Sequence, residues 1–152
     1  DEWRQLLKRI DSLPNLTYLG AQPQNHVNAI IARSHILVNT STAEGFANTF
    51  IQAWMRETPV LTLSVNPDDI FENQHLGSCA HGDFGQMCQI LAAWIADPDR
   101  LRAMGTASRE FAIAHYSERN IDELDELLRA PLSRPTTEGQ HSKKADSQMK
   151  LP

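Results

Sequence analysis

The chain has 152 residues, enough for one domain with a buried core, and its 41% hydrophobic and 22% charged residues are the balance of a globular protein. A formal charge of −5, with 14 Lys and Arg scattered along the chain, argues against a nucleic-acid partner, which needs a clustered basic face. No apolar run approaches the roughly twenty residues that cross a bilayer, so no transmembrane segment is expected and the domain reads as cytoplasmic.

The start, Asp1-Glu2-Trp3, lacks a Met and a leader and opens directly on a helical pattern, which reads as a piece of a longer protein. Trp3, Leu6, Leu7 and Ile10 recur at helical spacing until Ser12-Leu13-Pro14 stops the helix. Leu16-Thr17-Tyr18-Leu19 predicts a strand ended by Gly20, and Asn25 to Ala32 a helix holding Val27, Ile30 and Ile31 at helical spacing. The unit repeats: His35 to Asn39 is a continuous apolar strand, and Asn48 to Arg56 a helix turning Phe50, Ile51 and Trp54 inward.

Val60-Leu61-Thr62-Leu63 is the next strand, and Gly77 to His81 a further short one. Asp83 is placed to cap a helix running through Met87, Ile90, Leu91, Trp94 and Ile95 to Asp97-Pro98. Arg100 to His115 and Glu118 to Leu128 read as two more helices, expected to pack on one side of the sheet. Short buried strands alternating with helices make a parallel sheet covered on both faces, an α/β doubly wound, Rossmann-like domain over residues 1–130. Residues 131–152 carry almost no large apolar side chains and are expected to be a disordered tail.

Cys79 and Cys88 are too few for a disulfide framework, and the six histidines form no helical pair with a carboxylate between them. Asp68, Asp69 and Glu72 are an acidic patch best read as solvated loop carboxylates, and the acids among Asp122 to Glu126 as the wet face of a terminal helix. No metal and no cofactor is expected.

In an open α/β sheet ligands bind beyond the carboxyl ends of the strands, where the loop Thr40 to Ala47 lies. The helix beginning at Asn48 offers unpaired backbone N–H groups to a pyrophosphate, and Gly45 lets the backbone come close. A plainer reading stands beside this one: Thr42 or Asn48 merely caps the helix and Gly45 merely turns the chain. Glu44, an acid set just before a phosphate site, favours the first, because a carboxylate there needs hydroxyl donors and a sugar supplies them.

Asn39-Thr40-Ser41, then Glu44 to Trp54, then Thr58-Pro59-Val60 resemble the donor-site signature of the group 1 (family 4-like) glycosyltransferases, with a likeness running from about Leu13 to Tyr116. The resemblance implies the C-terminal, donor-binding domain of the GT-B architecture, retaining hexosyl transfer from a UDP-, GDP- or ADP-sugar in glycan or polysaccharide biosynthesis, and work without a metal. It assigns Glu44 to the hydroxyls of the transferred sugar, Gly45, Phe46, Ala47, Asn48 and Thr49 to sugar and diphosphate, and Leu19, Gly20 and Ala21 to the nucleobase.

The family's second Glu, which holds the ribose hydroxyls, is Gln52 here; Ala47 stands where relatives often carry Pro, and Glu57 where Gly is usual. The Arg and Lys that neutralise the diphosphate, and the domain that binds the acceptor glycan or lipid, belong to segments preceding Asp1 in the family. The chain alone is therefore expected to bind donor without turnover, the full-length protein being cytoplasmic or peripheral at the inner membrane. A nucleotide-sugar epimerase of the same fold, and a non-catalytic binding or assembly domain, are the alternatives.

Overall fold

The computed structural model describes residues 2–45 and 47–117, so the expected helix Glu118–Leu128 and the tail from Pro131 lie outside the described residues. Helix α1 (Glu2–Asp11) forms on the apolar repeat and ends where the Ser12 hydroxyl donates to the Arg9 carbonyl at 2.7 Å, ahead of Pro14. Helix α2 (Gln24–Ile31) starts after Pro23, whose φ of −66° suits a helix entrance. Strand β1 (Leu37–Asn39), helix α3 (Asn48–Trp54) and strand β2 (Val60–Thr62) follow. A 3-10 turn (Pro67–Asp69), helix α4 (Ile70–Gln74), strand β3 (Gly77–Cys79) and helices α5 (Phe84–Ala96) and α6 (Pro98–Tyr116) complete the described part.

The strands are parallel in the order β1-β2-β3, with Leu37 opposite Val60 and Val60 opposite Gly77. Central β2 is buried throughout, because successive side chains enter different layers. Val60 joins Ile31, Phe50, Trp54, Phe71 and Ala112, whereas Leu61 joins Ala80, Met87 and Trp94. Helices therefore cover both faces, as a doubly wound sheet requires. Asp83 caps α5 as its carboxylate accepts the Gln86 amide at 3.0 Å, and Asp97 does the same for α6 through Arg100 at 3.0 Å.

Three expectations are corrected. Leu16-Thr17-Tyr18-Leu19 is not a strand; Leu16, Tyr18 and Leu19 are about half exposed, and Tyr18 instead meets Trp3 edge-on at 5.6 Å. A strand needs a neighbour for its backbone groups, and no described strand pairs with the outer edge of β1. The helical second half does not keep to one side: α6 carries Leu101 and Met104 against the Leu61 layer and Ala112 into the Trp54 layer. In α3 the inward set is Phe50, Ala53 and Trp54, while Ile51 stays partly exposed.

Between β2 and β3 the chain makes the unanticipated α4, entered through Asp68 and Asp69 at φ of 53° and 51°. Two consecutive residues in the left-handed region carry no periodic signature, and the strain falls on Asp, which bears it better than most side chains. Glu57 is likewise left-handed, at φ 58°, a conformation that glycine adopts more readily at a helix exit. Its carboxylate pairs with Arg109 at 2.8 Å, an exposed ion pair. Among the described residues no helix is long and apolar enough to cross a membrane.

Candidate donor site

The loop after β1 is shaped by its own polar side chains. The Ser41 amide donates to Asn39 Oδ1 at 2.8 Å, an Asx turn that folds the chain back at the strand's carboxyl end. The Ser41 hydroxyl donates in turn to Glu44 Oε1, so the acid is held by one hydroxyl while remaining exposed. Gly45 is exposed, and a Cβ built there would meet no heavy atom within 4 Å. Phe46 lies outside the described residues.

Helix α3 begins with Ala47 as its N-cap, at φ −76° and ψ 119°, and no side chain caps it. Neither Thr42 nor Asn48 fills the capping role, and Asn48 and Thr49 are exposed. Their amides open the helix toward the rim of the sheet without a side-chain acceptor, which is where an anion's oxygens satisfy orphan donors. With seven residues, α3 has its first-turn amides to offer an anion rather than a long helix dipole.

Asn48 and Gln52 come together in a groove of about 400 Å³ between α2 and α3, shared with Gln24, Asn28, Ile51, Met55 and Arg56. The Gln52 oxygen Oε1 is buried and accepts no hydrogen bond from the described residues. Arg56 is turned back along its helix, Nη1 donating to the Gln52 carbonyl at 2.9 Å. Sequence reading missed Gln24 and Asn28; their spacing of four along one helix was the available signal, but not which neighbour they would face. Gln24 Nε2 donates to Asn28 Oδ1 at 3.4 Å.

Glu44 and Gly45 sit on the loop and do not line this groove, nor do Leu19, Gly20 and Ala21. Leu19 and Gly20 precede α2 in an exposed turn with Gly20 at φ 63°, where the Gln22 side-chain amide donates to the Leu19 carbonyl. Two other cavities, of about 280 and 260 Å³, open beside His75, Gly77 and Arg100 and beside His35 and Ile36. Both adjoin the amino ends of strands, the opposite edge from the one α/β sheets use for ligands.

Glu72 of the acidic stretch is held locally: Asn66 Nδ2 donates to its Oε2, and His81 Nε2 lies 3.8 Å from its Oε1. Among the described residues no three His, Cys, Asp or Glu side chains gather as a ligand set. Tyr116 lies near Asp68, and burial first, then that carboxylate, raise its hydroxyl pKa above the ordinary value.

Two solved structures of one protein, Alr3699/HepE from Anabaena, share the fold. The structure in complex with UDP superposes with a TM-score of 0.71 at 19% identity, covering 84% of this chain and 35% of that one. The structure in complex with UDP-glucose gives a TM-score of 0.69 at 19% identity over the same shares. The chain thus spans about a third of that protein's length. No curated protein matches the chain. The family model described as glycosyl transferases group 1 matches residues 1–97, a stretch that holds the Ser41–Asn48 loop, α3 and the groove beside it, and the chain belongs to that family.

Proposed function

We propose that this chain holds the nucleotide-sugar donor of a retaining glycosyltransferase of the hexosyltransferase type. The observation that carries the reading is the uncapped start of α3 at the sheet's carboxyl rim, with the exposed Glu44 carboxylate a few residues before it. In this assignment the amides of Gly45 through Thr49 hold sugar and diphosphate, Glu44 accepts from sugar hydroxyls in place of Ser41, and Gln52 meets the ribose. Leu19, Gly20 and Ala21 face the base.

In the transfer, the bond between the sugar's anomeric carbon and the diphosphate oxygen breaks and a bond to an acceptor hydroxyl oxygen forms. Negative charge collects on the departing nucleoside diphosphate, whose freed oxygen takes up the proton that the acceptor hydroxyl gives up. No Lys or Arg occurs between Arg33 and Arg56, and Arg56 is engaged with the Gln52 carbonyl. Backbone amides alone stabilise that charge less than a cationic clamp would. The reading therefore has the isolated chain binding donor without transferring sugar, no metal being required, and an acceptor glycan or lipid meeting a facing domain of the longer protein.

Titration calorimetry with UDP-, GDP- and ADP-sugars, each beside its free diphosphate, tests this. Glu44→Ala should remove the sugar-dependent part of the affinity, about tenfold or more, leaving the free diphosphate unaffected, since hydrogen bonds to a charged group are among the stronger ones. Absence of binding by every nucleotide, with Glu44→Ala silent, would give way to the non-catalytic assembly domain.

Gly45→Ala supplies a second check. The open space around Gly45 predicts a melting temperature within about 1 °C of the parent. The added methyl should nevertheless weaken diphosphate binding by about tenfold, because a backbone that must approach phosphate cannot carry a Cβ at that point. Unchanged affinity would remove Gly45 from the site.

A further inference from the structure

Strand β1 closes one side of the sheet and pairs with β2 alone among the described strands. The Leu37 amide donates to the Pro59 carbonyl at 2.9 Å and the Asn39 carbonyl accepts from the Leu63 amide at 2.8 Å, so residues 37 and 39 turn their backbone groups to β2. Alternate residues of a strand direct these groups to opposite neighbours, and the N–H and C=O of Val38 therefore face outward together.

The edge lacks the devices that keep such groups from pairing. Ile36-Leu37-Val38-Asn39-Thr40 holds no charge and no proline. Val38 is 45% exposed, whereas Cys79, the outward residue of β3 on the opposite edge, is 3% exposed.

Bare apolar surface flanks the strand on both faces of the sheet. Val38 shares a face with Ile36, two residues away, and Ile36 lines a cavity of about 260 Å³ with Ile95, itself 65% exposed. On the other face α2 lies beside β1, its Val27 and Ile31 in one layer with Leu37. Helix α1 and the segment leading into α2 leave Trp3, Leu6, Leu16, Tyr18 and Leu19 about half exposed. Half-exposed side chains of this size present on the order of 100 Å² each. With Val38 and Ile95 they offer roughly 700 Å² per copy, comparable with the ~800 Å² per partner of a standard interface.

The edge is complementary to itself. A second copy related by a two-fold axis presents the same strand antiparallel, and a residue with both backbone groups outward then exchanges two hydrogen bonds with its own counterpart. We propose that the chain forms a symmetric dimer by antiparallel pairing of β1 with β1 of a second copy, Val38 facing Val38 across the axis, so that two three-stranded sheets join into one. The pairing extends to Ile36 with Thr40 of the second copy, and the two carboxyl rims point in opposite directions. This inference goes beyond the donor-binding reading and does not depend on it.

Sedimentation equilibrium of the full chain should show the mass rising from one chain to two with concentration. Val38→Lys sets two ammonium groups against each other at the axis and should weaken association about tenfold or more. Its circular dichroism should stay that of the parent, because the position is exposed. Val38→Cys reads the geometry independently, since the Cα atoms of an antiparallel hydrogen-bonded pair lie about 5.5 Å apart, within disulfide reach. With the exposed Cys88 replaced by Cys88→Ser, it should form covalent dimers in a glutathione redox buffer about tenfold more readily than Phe84→Cys, a 64% exposed position at the start of α5, beyond β3. A chain that stays monomeric at every concentration overturns the proposal and leaves the edge to a different polypeptide. Dimers that Val38→Lys does not weaken, or that Val38→Cys does not trap, are held by another surface and overturn it as well.

Discussion

Replacing Trp54 by alanine should destabilise the domain by about 3–5 kcal/mol, a large share of the total stability of a domain this size. Trp54 is 0% exposed and lies where α3, α4 and α6 converge. Its ring centroid is 6.2 Å from Phe50, 6.1 Å from Phe71 and 5.9 Å from Phe111, and it stacks on Tyr116 at 6.4 Å. The indole Nε1 donates to the Leu76 carbonyl at 3.2 Å. That carbonyl also accepts from the Ser108 hydroxyl at 3.3 Å, so it is not stranded when the indole goes.

The loss is therefore chiefly packing and cavity, and Trp54→Phe should recover more than half of it. Urea unfolding followed by circular dichroism measures both variants. An alanine variant within about 1 kcal/mol of the parent would mean that α3 is anchored elsewhere. The consequence reaches the site, because Trp54 fixes the helix whose first amides are proposed to meet the diphosphate. A loosened α3 should weaken nucleotide binding even under conditions where the variant stays folded.

Gly77→Ala should cost about 3 kcal/mol or more, at the upper end of what overpacking costs. A Cβ at Gly77 would come within 1.9 Å of the Val60 carbonyl oxygen and 2.8 Å of Phe71 Cδ1. The phenyl ring can shift, but the oxygen is backbone of the central strand, and moving it separates β2 from β3. Gly105→Ala should be the milder relative, its Cβ meeting the Glu57 carbonyl oxygen at 2.3 Å where an exposed helix exit has more room to give. Thermal unfolding of the Gly45, Gly105 and Gly77 alanine variants should give increasing destabilisation in that order. A Gly77 variant melting like the parent would mean that the Val60 carbonyl does not crowd this position.

Much of the fold was legible because the informative signals are local. The apolar runs at His35–Asn39 and Val60–Leu63 stand out since both faces of the sheet are covered, and β1 and β2 form within them. Asp83 was readable as a cap because capping involves residues three apart, and its carboxylate does receive the Gln86 amide. Leu16–Leu19 has the composition of a strand but not the structure of one here, since pairing is a property of two segments. The turn into α4 was hidden for the opposite reason: left-handed Asp68 and Asp69 leave no mark in hydrophobic spacing.

Within the candidate site, the order Ser41, Glu44, Gly45, Asn48, Gln52 on a loop leading into a helix could be read directly, along with the family signature that these residues carry. Composition and alternation likewise determined the α/β class and the rim at which a ligand would meet the chain. Tertiary structure alone decided that Gln24 and Asn28 share a groove with Gln52, that no side chain caps α3 at Ala47, and that the Gln52 oxygen is buried without a partner among the described residues. Spacing along a chain reports neighbours within about one helical turn, whereas a groove between two helices depends on how both pack against the same sheet.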